Sequence, residues 1–67
     1  MIVDYASAEQ YTRDAIQRRD VRSIREGYLW IGTLGPGTER GRLARATRIV
    51  KAWLRTAGMD TCATIGK

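Results

Sequence analysis

Apolar positions recur along this chain in three stretches, each with helical spacing but in a different phase. In the first, Tyr11, Ala15 and Ile16 follow one another at the intervals that bring residues to one helical face. Ser7 with Gln10 three residues on has capping-box spacing, each side chain satisfying the other's free amide. A helix is expected over about residues 8–19, after an extended lead-in at residues 1–5. The phase then slips. Val21, Ile24, Tyr28, Ile31 and Leu34 lie on a new stripe, and Asp20 suits the N-cap of a second helix over about residues 21–33.

The third stretch is the most regular. Leu43, Ala46, Val50, Trp53, Leu54 and Ala57 form one stripe, which predicts a helix over about residues 39–57. Thr38 can cap it, and Glu39 complements the positive end of the helix dipole. Gly58 is placed to end it in a left-handed conformation. Between the second and third helices, Gly35-Pro36-Gly37 marks a turn: proline stops the preceding helix and the two glycines supply unusual backbone angles.

The fold expected is all-α, a compact three-helix domain of residues 1–67 with a tail at 59–67 that is frayed or a short strand. The aromatic and branched residues of 28–34 leave an α+β alternative. There the segment is a strand pairing with residues 2–5, 61–65 or both.

Size and inventory narrow the chemistry. A chain of 67 residues buries only about 60% of the surface its unfolded form exposes. Small scaffolds therefore lean on disulfides, metals, oligomerisation or a partner. The single cysteine, Cys62, rules out an internal disulfide, and a chain without histidine offers no transition-metal site. No cofactor is expected. General acid–base catalysis most often uses histidine, and neither Ser7 nor Ser23 has a base at a suggestive spacing. Cys62 lacks a histidine to activate it, so the chain is expected to act by binding, not as an enzyme. The longest apolar run, residues 28–34, is far short of the roughly 20 residues of a membrane span. With its lone thiol, that suggests a soluble cytoplasmic protein with no membrane partner.

Charge is the one distinctive feature. Arg40, Arg42, Arg45, Arg48, Lys51 and Arg55 lie in the third helix with no acid between them. The rest of the chain carries six basic and seven acidic residues, so the whole excess of +5 belongs to this helix. At 100° per residue, Arg40, Arg45, Arg48, Lys51 and Arg55 fall opposite the apolar stripe and Arg42 falls near its edge. Solvent-facing helices usually alternate sign, because each acid–base pair adds about 0.2–0.5 kcal/mol. A like-charged ridge is better tolerated against something anionic.

Three occupants fit that ridge: solvent, with the cations paired across the fold to Asp14, Asp20 or Glu26; the phosphates of DNA or RNA; or an acidic protein surface. Arg18, Arg19 and Arg22 form a second basic cluster. Leu29 lies off its helix's stripe with Trp30 at the edge, which makes an apolar contact patch and a candidate homodimer interface.

The leading expectation is a small accessory or regulatory nucleic-acid-binding protein. The rival is a stoichiometric inhibitor or adaptor, of the kind phages and mobile elements use against host defence complexes such as CRISPR effectors. That analogy rests on size and on the lack of active-site residues. Two familiar motifs fit less well. The glycines at 35, 37 and 41 match neither phosphate-loop spacing, and Gly35-Pro36-Gly37-Thr38 is stiffer than the turn of a helix-turn-helix.

Overall fold

Four side-chain caps set where the helices of this chain begin. Asp4 accepts the Ser7 amide at 2.8 Å, Asp20 that of Ser23 at 3.3 Å, Thr38 that of Gly41 at 3.2 Å, and Asp60 that of Cys62 at 2.9 Å. Each satisfies a first-turn donor that has no partner within its helix. The computed structural model describes residues 2–66 and contains the helices that follow these caps. They are α1 (Tyr5–Arg18), α2 (Val21–Leu34), α3 (Glu39–Thr56) and α4 (Thr61–Ile65). Met1, in the expected lead-in, and Lys67, at the end of the expected tail, lie outside the described residues.

The all-α expectation holds, and residues 28–34 are helical throughout. Two local expectations are corrected. The cap of α1 is Asp4 and not Ser7, so the helix starts at Tyr5, three residues earlier than expected. Aspartate caps at least as well as serine, and here Ser7 is the donor to it. The tail is neither frayed nor a strand over residues 61–65. Asp60 caps a short helix, whose Thr64 hydroxyl donates back to the Asp60 carbonyl at 2.7 Å.

Two sharp corners fold the chain. Arg19 adopts φ 56°, a left-handed conformation, and the amides of Arg19 and Asp20 return to Ile16 and Ala15 at 3.0 Å. This closes α1 in two residues and sends α2 back antiparallel, so that Tyr11 bonds Glu26 and Tyr5 approaches Gly35. Gly58, with φ 75°, ends α3 as expected, the Met59 amide reaching back to the Leu54 carbonyl at 2.9 Å. Within Gly35-Pro36-Gly37 only Gly37 needs a glycine angle, at φ 99°; Gly35 is ordinary extended backbone.

α2 is the central element, touching each of the other three helices. On one side it meets α1 through Ala8, Thr12 and Ala15, all fully buried, with buried Gly27 facing Thr12. The Thr12 hydroxyl donates to the Ala8 carbonyl at 2.8 Å, which makes this buried polar group self-sufficient. On the other side α3 lays Ala46, Val50 and Leu54 into the core against Ile24 and Ile31. Leu43 and Ala46 lie over Gly32, and the Tyr28 and Thr47 hydroxyls bond at 2.7 Å. α1 and α3 flank α2 and meet each other over only a short stretch. The result is a slab of 29 × 26 × 17 Å with a cleft between the outer helices.

The two helical glycines of α2 separate packing from propensity. A methyl at Gly27 would lie 2.9 Å from Thr12 Cβ and 3.1 Å from its Cα, and the Cα cannot swing away. Alanine gains about 1 kcal/mol of helix propensity, but overpacking against fixed atoms costs about 1–3 kcal/mol or more. Gly27→Ala is therefore expected to lower stability by about 2 kcal/mol in urea denaturation. Gly32→Ala meets only Leu43 Cδ2 at 3.4 Å and Ala46 Cβ at 3.7 Å, and should be neutral or stabilising by up to about 1 kcal/mol. Equal behaviour of the two variants would show that α1 and α2 do not approach this closely.

Candidate nucleic-acid interface on α3

The apolar stripe of α3 fixes which way its cations point. Because Ala46, Val50 and Leu54 face α2 at 1% exposure or less, the residues half a turn away must face solvent. Arg40, Arg45, Arg48 and Arg55 are exposed there, and Lys51 is half-buried. Between them stand only small residues, Gly41, Ala44 and Ala52, all exposed. The ridge therefore has low gaps through which a partner can approach the helix itself. From Arg40 to Arg55 it runs about 22 Å at the helical rise.

Two arginines of the set turn toward the fold. Arg42 is half-buried; its Nη1 donates to the Gly37 carbonyl at 3.3 Å, and its Nε is buried without a partner. Arg45 donates to the Pro36 carbonyl at 3.1 Å from an otherwise exposed side chain. Together they staple the α2–α3 turn to the first turns of α3. The side chains of Arg40, Arg48, Lys51 and Arg55 take part in no hydrogen bond among the described residues. They are the outward set, with Arg45 at their margin.

The second cluster divides in the same way. Arg18, Arg19 and Arg22 are all exposed, but Arg19 reaches across to the Ala57 carbonyl at 2.9 Å. This cation on the last carbonyls of α3 is favoured by the helix dipole, and it brings the α1–α2 corner to the Arg55 end of the ridge. Arg25 does the same for α4, bonding the carbonyls of Thr64 at 2.7 Å and Ala63 at 3.2 Å. Arg13 lies over the Trp53 ring at 5.0 Å.

The carboxylates proposed to neutralise the ridge are engaged with neutral donors. Asp14 accepts from the Gln10 amide at 2.9 Å, Glu26 from the Tyr11 hydroxyl at 2.7 Å, and Asp20 from the Ser23 hydroxyl at 2.8 Å. Among the described residues, every arginine hydrogen bond goes to a backbone carbonyl. The basic face therefore keeps its field.

The apolar candidates are separate from this face. Leu29 is 61% exposed and Trp30 38%, while Leu43, assigned to the buried stripe by its spacing, is 45% exposed. The group that spacing missed is Thr12, buried by the packing of α1 against Gly27 of α2. Cys62 is exposed, and among the described residues no group of three His, Cys, Asp or Glu could hold a metal. No helix among them is long and apolar enough to cross a membrane.

Comparison with protein-family models, with curated proteins and with solved structures finds no match.

The aspartate caps make their part of the fold's stability depend on pH. Asp4 is held below its ordinary 3.8 by the backbone amide of Ser7 and then by the Ser7 hydroxyl. Asp20 is held below 3.8 by the Ser23 hydroxyl and then by its amide. The folded chain thus binds fewer protons than the unfolded one near these values. The caps' contribution is fully present above 3.8 and is lost as pH falls through the lowered folded values. Asp4→Asn with Asp20→Asn, which keeps a capping oxygen but cannot titrate, should flatten thermal stability across that acid window. An unchanged acid transition would show that the caps do not set it.

Proposed function

We propose that this chain is a non-enzymatic nucleic-acid-binding protein that uses the outward cations of α3 on the phosphate backbone. The observation that carries the reading is that exposed Arg40, Arg48 and Arg55 and half-buried Lys51 share one face, without a carboxylate hydrogen-bonded to them among the described residues. Each contacted phosphate releases condensed counterions, so such a ridge gains affinity without reading base edges. Its small intervening residues suit close approach to a backbone or groove. An accessory or regulatory role suits this activity, in the cytoplasm whose reducing conditions fit the lone Cys62 thiol.

A second reading rests on a different observation. Leu29 and Leu43 are large, apolar and exposed, and Leu43 lies over Gly32 at the α2–α3 seam. Such groups favour a protein contact, either a homodimer or the partner of a stoichiometric inhibitor of the phage type. An acidic partner surface could also engage the α3 ridge. Capture from a native lysate with and without nuclease separates the two: partners that persist after nuclease treatment belong to this second reading.

For the first reading, about four phosphate contacts give a salt slope near −3.6, so duplex affinity should fall on the order of 100-fold between 50 and 200 mM salt. Arg48→Glu with Arg55→Glu should abolish binding in an anisotropy titration, while the circular dichroism of the fold is unchanged. Affinity that is flat with salt, or intact in the double variant, would remove the α3 ridge as the contact surface.

A further inference from the structure

The cleft left between α1 and α3 is not accounted for by a phosphate-binding ridge. It is an open groove of about 450 Å³, lined by Gln10, Arg13, Asp14, Ile16 and Gln17 of α1 and by Trp53 and Thr56 of α3. Its walls differ in kind. One offers the half-buried indole of Trp53, covered by the exposed guanidinium of Arg13 at 5.0 Å. The other offers amides and a carboxylate. Gln10 donates to Asp14 Oδ1 at 2.9 Å, which orients both and leaves Gln10 Oε1 and Asp14 Oδ2 to accept from a ligand. Gln17, whose exposed side chain makes no hydrogen bond among the described residues, offers both a donor and an acceptor.

The cleft is also continuous with the ridge. Arg48, Ala52 and Thr56 follow one another at four-residue steps, a row that leaves the cationic face and ends in the cleft wall. Ala52 is the low point of that row. A polyanion held at Arg48 and Arg55 can pass over it and bring a substituent beside Trp53.

We propose that this cleft takes one unpaired nucleobase of a single strand whose phosphates lie along α3. The inference rests on the reading of α3 as a nucleic-acid surface and adds to it a preference for single strands. The base stacks on the Trp53 face that Arg13 now covers. Arg13, being exposed, moves aside to the base edge or to a neighbouring phosphate. Gln10, Asp14 and Gln17 bond the base edge. A paired base inside a duplex cannot enter, because both its faces and its pairing edge are already occupied.

The test uses the full chain carrying Trp30→Phe, so that Trp53 is the sole indole, with an oligothymidine of about a dozen nucleotides and a duplex of equal length as probes. Trp53 emission is expected to be quenched by the single strand and unaffected by the duplex. Gln17→Ala and Arg13→Ala should each weaken single-strand binding several-fold and leave duplex binding within twofold. Trp53→Leu should lower single-strand affinity on the order of 10-fold. Should that variant fail to fold, the quenching and the two exposed-residue variants decide. Binding of both probes with Trp53 emission unchanged overturns the cleft and leaves the α3 ridge standing. Binding of neither probe overturns both.

Discussion

The closeness of α1 to α2 governs the rest of this structure. Gly27 faces Thr12 with no room for a methyl between them, and Ala8 and Ala15 extend the same narrow seam. A chain of 67 residues has few large apolar side chains to bury, and three of its eight core residues are alanines. Close approach of backbones compensates in part, because dispersion grows steeply as gaps close. The two-residue corner at Arg19–Asp20 permits this by turning the chain at once. With α1 held so tightly on one side of α2, α3 must cover the other, and it uses all of Ala46, Val50 and Leu54 to do so. Its opposite face packs against no other helix among the described residues.

How the charges are used follows from that arrangement. Helix ends and turns present unpaired carbonyls, and Arg19, Arg25, Arg42 and Arg45 each donate to one or two of them. Amides at helix starts need acceptors, and Asp4, Asp20 and Asp60 provide them. Both jobs satisfy backbone groups that would otherwise be costly, and both draw charged side chains away from one another. Few carboxylates remain to face the middle of α3. The like-charge repulsion there costs only a few tenths of a kcal/mol per pair, roughly 0.2–0.5, which a packed helix of 18 residues bears easily. The basic ridge is therefore compatible with a stable fold without being stabilised by it.

Much of this was legible in the sequence, for physical reasons that also mark the limits. The stripes of α2 and α3 are long and apolar, so their extents came out within one residue of the structure. The start of α1 was misplaced because Asp4 and Ser7 both have a capping geometry open to them, and only the helix itself shows which accepts. α4 has five residues, too few to display a period, and Arg25 from α2 bonds its last carbonyls. Thr12 was overlooked as core because a hydroxyl reads as polar until its bond to Ala8 hides it. On α3, angular placement located Arg40, Arg48 and Arg55 correctly on the exposed face. It could not see Arg42 and Arg45 bending to the 36–37 carbonyls, since that depends on where the turn lies in space.

The cleft is the clearest case of a feature that no single helix contains. Gln10, Arg13, Asp14 and Gln17 read as an ordinary solvated face of α1, and Trp53 as the margin of an apolar stripe. They are brought to one groove because α1 and α3 flank α2 and meet each other over only a short stretch, which leaves the indole half-buried. Had α1 and α3 packed fully together, Trp53 would be core and nothing more. The tight α1–α2 seam and the open cleft are thus two sides of one geometry. By drawing α1 hard against α2, the small residues at Thr12 and Gly27 limit its contact with α3 and leave the Trp53 indole, under Arg13, beside a cationic ridge.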